Sequence, residues 1–236
     1  MTLLATFVGI NRYADNNISD LTGASRDATA LWAIFSDSIP DIKTHYLLDD
    51  KADRVSIINA LDDTFNHAKP DDTVLFFFAG HGSPTHHLVP HDAQYKALEE
   101  TGISMNEIAK YLSSSKARIA IVILDCCFSG GATARVLQNI PAPRNGMTTV
   151  TSLQGKGRVI IAASKDDQAA YEFKGHGLLT QALLNTFKHH PTGIDLGAVM
   201  DEVTQWVRAE AGRFGWDQTP VIFNLVEGGV KFPALN

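Results

Sequence analysis

Apolar residues along this chain recur in two rhythms. Continuous runs at 3–10 (LLATFVGI), 72–80 (DTVLFFFAG), 118–124 (RIAIVIL) and 158–164 (RVIIAAS) read as strands buried on both faces. Two further runs, 45–50 (HYLLDD) and 219–225 (TPVIFNL), bring the set to six, and the proline near the start of the last suits an edge strand. Between these runs the apolar positions return at helical spacing: Ala24, Ala28, Leu31 and Phe35, then Val55, Ile58, Leu61 and Phe65, then Met105, Ile108, Ala109 and Leu112. Leu179, Ala182, Leu183 and Phe187 form another such face, and Leu196, Val199, Met200, Val203 and Val207 a last one. Strands separated by helices of this length need crossovers between parallel neighbours, with helices on both faces. The pattern predicts a three-layer α/β/α sandwich with a mainly parallel sheet of about six strands.

The rhythm breaks once, over 139–157 (NIPAPRNGMTTVTSLQGKG), where prolines, glycines and hydroxyl residues replace any apolar period. This stretch predicts an exposed linker. It divides a single domain, 1–236, into a larger part, 1–138, and a smaller part, 158–236.

Composition narrows the function. Hydrophobic residues make up 44% of 236, and 20 Lys and Arg against 26 Asp and Glu give a net charge of −6 with no run of five like charges. The basic footprint of a nucleic-acid binder is missing, so nucleic acid is not expected as a partner. The first residues lack a basic leader pattern and no apolar run approaches eighteen residues, which predicts a cytoplasmic protein without a membrane partner. Cys126 and Cys127 are the two cysteines; adjacent thiols rarely meet disulfide geometry with each other, and no CxxC spacing offers a zinc site.

The candidate chemistry lies where parallel strands end, because reactive groups collect beyond their carboxyl ends. His81 sits between two glycines after the 72–80 run, and the cysteine pair follows the 118–124 run. A lone cysteine is usually a packing residue and a glycine-flanked histidine usually a loop residue. At matching ends of neighbouring strands, however, an imidazole can stabilise a thiolate and later protonate a leaving amine. His86, His87 and His91 follow closely but lack the spacing of a metal site, and His176, also glycine-flanked, reads as a packing or loop residue.

The segments FFFAGHGS, LVPHDA and ILDCCFSGG, with LTGASRDA, ASKDDQAAYE, GHGLLT and QTPVIFN in support, resemble the caspase-like clan of cysteine peptidases, and most of all the metacaspases and bacterial orthocaspases. The resemblance covers nearly the whole chain. It implies an endopeptidase in which His81 is general base and acid and Cys127 the nucleophile, working through a thioester acyl-enzyme. Cys126 stands where relatives keep a serine and is the bystander. The backbone N–H groups of Gly82 and Cys127 would form the oxyanion hole. Asp27 and Asp125 match the acidic pocket for Arg or Lys before the cleaved bond, a pairing that suits a guanidinium and repels an acidic side chain. Ala79 replaces a serine found in some pockets of this kind.

Asp92 matches one calcium ligand of the metacaspases, but Met105, Asn106 and Ala134 stand where acids are expected, so the set is short and no metal or other cofactor is expected. The 139–157 linker corresponds to the junction between the larger and smaller caspase subunits. Arg135, Arg144, Lys156 and Arg158, in or beside it, are candidate self-cleavage points. The implied partners are protein or peptide substrates with a basic residue before the cut, and the implied state is a monomer. The rival reading is a catalytically silent caspase-like module that binds partners.

Overall fold

The computed structural model describes residues 2–128, 157–165, 167–225 and 230–235. Six strands form the central sheet: β1 (Leu3–Gly9), β2 (Lys43–Leu48), β3 (Thr73–Ala79), β6 (Ile119–Asp125), β7 (Arg158–Ala162) and β11 (Val221–Leu225), in the order β11-β7-β6-β3-β1-β2. Every pair is parallel except β11 with β7, which is antiparallel at the edge. Paired two-residue strands complete the set: β4 (His87–Leu88) with β5 (Ile103–Ser104), β8 (Glu172–Phe173) with β9 (His176–Gly177), and β10 (Ile194–Asp195) with β12 (Lys231–Phe232).

Alternation along the strands divides the interior into two cores. Phe7, Phe77, Ile121, Ile123, Val159 and Ile161 face α1 (Ala24–Ser38), α5 (Leu178–His189) and α6 (Leu196–Gly212). Val8, Phe76, Phe78, Val122 and Leu124 face α2 (Arg54–Leu61) and α4 (Met105–Ser114) on the other side. A single helical turn of four residues, α3 (Leu98–Thr101), lies between these last two in sequence. Side chains covered on both faces explain why β3 and β6 read as unbroken apolar runs instead of alternating ones. In the first core, Phe35 of α1 packs edge-on against Phe187 of α5 and Phe232 of β12, at centroid separations of 6.2 and 6.5 Å, which ties both halves of the chain together. Among the described residues, no helix is long and apolar enough to cross a membrane.

Two expected elements shift for local reasons. β2 stops at Leu48, two residues early, because Asp49 leaves the strand with φ 46° and turns its carboxylate onto the Asn11 and Arg12 N–H groups and the Ser25 hydroxyl. The second helix buries only part of the expected face: Leu61 and Phe65 are buried, but Val55 is exposed and Ile58 half-buried, with Ile57 and Ala60 buried in their place. A π turn, Asp62–Asn66, follows α2. It inserts a residue into the helical repeat, so a face drawn back from Phe65 at ordinary spacing lands on the wrong positions.

Arg158 is a correction. Expected beside an exposed junction as a self-cleavage point, it is the buried first residue of β7. Its guanidinium donates to the carbonyls of Leu112, Ser115 (2.7 Å) and Ala117 (3.2 Å), closing the carboxyl end of α4. A cation there meets the negative end of the helix dipole and satisfies carbonyls the helix leaves open, although burial pulls its pKa below the usual arginine value. Peptidase access would require β7 to leave the sheet. Replacing Arg158 with Met is expected to lower stability by about 2–4 kcal/mol, read as a shifted urea midpoint, because the carbonyls stay buried without their donor. An unchanged midpoint refutes this capping role.

At the other end of α4, Ser104 and Glu107 form a capping box, and Arg54 of α2 reaches the Glu107 carboxylate. Burial works to raise the Glu107 pKa, but the bonds from the Ser104 N–H and hydroxyl and from Arg54 outweigh it and leave it below the usual glutamate value. A lowered folded-state pKa means stabilisation that is complete above the usual glutamate value and is lost as pH falls through the lower, folded-state one. Glu107→Gln is therefore expected to lower the melting temperature at neutral pH, with the difference from wild type closing in acid. A difference that stays constant down to pH 3 sinks this account.

Candidate active site

β3 and β6 run side by side with Ala79 opposite Asp125. Two residues further along each strand, His81 and Cys127 therefore stand on one rim of the sheet. The loops that carry them touch backbone to backbone: a Cβ at Gly82 would strike the Cys127 carbonyl oxygen and come within 3.1 Å of the Phe128 ring. Only glycine permits that approach.

His81 is buried and its imidazole is held by two residues from the β1–α1 loop. Nε2 lies 2.7 Å from the Ser19 carbonyl oxygen and 3.5 Å from the Ser19 hydroxyl, and the ring sits 5.1 Å from that of Tyr13. The His81 N–H donates to the Tyr13 hydroxyl at 2.9 Å. A carbonyl can only accept, so Nε2 carries the proton and Nδ1 is the basic nitrogen. Next to it, Gly82 bridges to Leu88 through ladder bonds made by its neighbours, Val89 N–H to His81 carbonyl and Ser83 N–H to His87 carbonyl. That pairing does not use the Gly82 N–H.

The two cysteines keep the alternation of β6 and enter opposite cores. Cys126 packs with Ile10, Phe78 and Leu88, while Cys127 joins the core of α1 and α5. Cys127 Sγ accepts the Ala170 N–H at 2.8 Å and lies 3.8 Å from the Gln168 carbonyl oxygen. An N–H aimed at sulfur is the arrangement that stabilises a thiolate. The segment that supplies it is fixed: the Gln168 side chain accepts the Thr219 N–H, and Gln218 bonds both Tyr171 and Ala163.

Asp27, in the first turn of α1, and Asp125, the last residue of β6, are both fully buried. They converge on the start of α5. Asp27 accepts the Gly177 N–H at 2.9 Å and stands 2.7 Å from His176 Nδ1; Asp125 accepts the Thr180 N–H (3.1 Å) and hydroxyl (2.6 Å). Gly177 lies between them, since a Cβ there would be 2.7 Å from Asp125 Cγ. The open N–H groups of a helix start and its positive dipole end suit two carboxylates that have left water.

Other expected residues lie apart from this group. Asp92 Oδ1 accepts the Arg54 N–H at the start of α2, and Met105 is buried as the first residue of α4. Among the described residues no three His, Cys, Asp or Glu side chains gather to hold a metal ion. His87 and His91 are separately engaged, by Thr85 and by the Arg12 carbonyl. Arg135, Arg144, Lys156 and Ala134 fall outside the described residues, as does nearly all of the 139–157 linker. Four participants were not foreseen. Ser19 acts through its carbonyl, which no side chain advertises, and Tyr13 and Thr180 act through hydroxyls far away in sequence. His176 did carry a signal, the same glycine flanks as His81.

The family model of the caspase domain (peptidase C14) matches residues 2–226. The chain belongs to the caspase-domain family, a family of cysteine-type peptidases. The crystal structure of protein GSU0716 from Geobacter sulfurreducens superposes with a TM-score of 0.70 over 96% of this chain and 94% of that one, at 17% identity, a likeness of fold alone. No curated protein matches the chain.

The crowding at Gly177 is testable. Gly177→Ala is expected to cost about 1–3 kcal/mol in a urea titration, because the added methyl must push aside a buried carboxylate. Wild-type stability in this variant would refute the close packing of Gly177 against the Asp125 carboxylate.

Proposed function

We propose that this protein is a metacaspase-like cysteine endopeptidase that cuts after Arg or Lys, with His81 and Cys127 as its dyad. The observation that carries the proposal is the convergence of two buried carboxylates, Asp27 and Asp125, on the same sheet rim as the histidine and the thiol. A buried like-charged pair is costly unless compensated, and a substrate guanidinium compensates both members through separate N–H edges. An acidic substrate side chain would add a third negative charge.

The mechanism follows from the groups. His81 Nδ1 takes the Cys127 proton, and the thiolate attacks the carbonyl carbon of the scissile bond. As the C–S bond forms, the carbonyl π electrons move onto oxygen, where the N–H groups of Gly82 and Cys127 meet the developing charge. Collapse of the tetrahedral species breaks the C–N bond, and the leaving amine takes the proton from His81. A water, deprotonated by His81, then attacks the thioester, and the thiolate departs with the acid product released. The Ser19 carbonyl keeps the imidazole in the required tautomer throughout. Self-processing in or beside the 139–157 linker, after Arg135, Arg144 or Lys156, belongs to the same proposal. So does a single-domain enzyme that needs no metal and works as a cytoplasmic monomer on protein or peptide substrates.

The test uses peptide substrates with arginine, lysine or aspartate before the cut. Cys127→Ala is expected to abolish turnover of the arginine peptide, with Cys126→Ala retaining most of it and the aspartate peptide uncut by all forms. Turnover that survives in Cys127→Ala, or a preference for aspartate, overturns the proposal; no turnover by wild type with or without calcium points to a silent binding module.

A further inference from the structure

The carboxylate that would receive a substrate cation is already engaged. Asp27 has no exposed side-chain surface, and the residue against its Oδ1, His176, keeps 19% of its own. His176 comes from the hairpin at 172–177. Glu172 and Phe173 pair with Gly177 and His176, and the turn between them, Lys174 and Gly175, has φ 54° and 78°. Two consecutive left-handed residues make the compact turn of a two-residue hairpin. At the base, the Glu172 carboxylate accepts the Thr22 and Gly23 N–H groups, at 3.2 and 2.9 Å, and the Thr22 hydroxyl at 2.9 Å. The hairpin is thereby strapped across the start of α1, and its second strand delivers an imidazole N–H to Asp27.

This arrangement goes deeper than a charge preference, and it rests on the reading of Asp27 and Asp125 as the pocket for a basic side chain. We propose that His176 is a place-holder in the pocket: it occupies the position at Asp27 that the substrate cation takes, and so sets how tightly any basic side chain is held. A cation can enter only by returning to Asp27 what His176 gives up. A guanidinium does so with a fixed fork of donors, able to meet Asp27 with one edge and Asp125 with another. An ammonium is a compact, strongly hydrated point charge that offers no such fork, so the exchange is poorer. Gly177 stays bonded to Asp27 through its N–H, so the His176 ring leaves by rotating about its own side-chain bonds toward the solvent it already meets. Arg26, next to Asp27 in sequence, is exposed, with its guanidinium lying against Gly175 at the hairpin tip.

The experiment compares wild type with His176→Gln and His176→Ala on matched arginine and lysine peptides. It also measures benzamidine, a rigid amidinium probe, binding to the catalytically dead Cys127→Ala form with and without each His176 substitution. The expected result is a KM lower by about tenfold for both peptides, because the cost of displacing His176 is common to the two cations, with kcat and the arginine-to-lysine ratio of kcat/KM retained. Benzamidine is expected to bind more tightly once His176 is removed, seen as a larger thermal shift at equal concentration. His176→Gln, which keeps a neutral donor, should fall between wild type and His176→Ala in both readouts. An unchanged KM for both peptides, or kcat falling for both in step with the melting temperature, overturns the proposal and leaves His176 as a packing residue. If wild type cuts neither peptide, the peptidase reading fails by itself. Benzamidine then decides the role of His176, which stands if its removal tightens binding and falls if binding is equal or missing in both forms.

Discussion

The register of β3 against β6 is the constraint on which the rest of the molecule depends. With Ala79 opposite Asp125, the two strands end level, and the residues just beyond them share one rim. Because side chains alternate along a strand, a slip of one residue would exchange the faces of the whole strand. Cys126 would then move toward the core of α1 and Cys127 toward that of α2 and α4. Phe76 and Phe78 on one face and Phe77 on the other make such a slip expensive, since each is fully buried where it stands. A large buried side chain contributes roughly 1.5–3 kcal/mol through the water it leaves, so packing on both faces guards the placement of the thiol.

A second constraint is electrostatic. Asp27 and Asp125 come from different parts of the chain, and neither is exposed. What offsets their removal from water is the first turn of α5, whose Gly177 and Thr180 N–H groups point at them, one for each acid. The start of one helix thus joins the first turn of α1 to the last residue of β6. The same turn follows the hairpin that bears His176, so the imidazole against Asp27 and the N–H groups that support both acids come from one stretch, residues 172–180.

Most of the architecture could be read before any coordinates, and the reason is hydrophobic periodicity. All six strands of the sheet announce themselves as apolar runs, and the five longer helices as faces. What escaped was local. Asp49 ends β2 through backbone bonds that have no pattern, and the π turn at Asp62–Asn66 shifts the face of α2. The two-residue strands are shorter than any period. For the site, His81 and the cysteine pair were legible because their chemistry resides in side chains at strand ends. The Ser19 carbonyl was invisible for the opposite reason. Arg158 misled because a cation beside a polar stretch looks solvated, whereas here the charge closes a helix end inside the fold. His176 was in view, but its meaning depends on Asp27, 149 positions away in sequence.

The seam between the two parts of the chain has a consequence for any break within 129–156. β7 is stitched to β6 along five residue pairs, the Phe35, Phe187 and Phe232 rings interlock across the divide, and Glu172 grips Thr22. Scission would cut the thread without parting the cloth. The fragments would persist as a heterodimer born from one polypeptide, in which the imidazole and thiol belong to one fragment and the acidic pair is braced by the other.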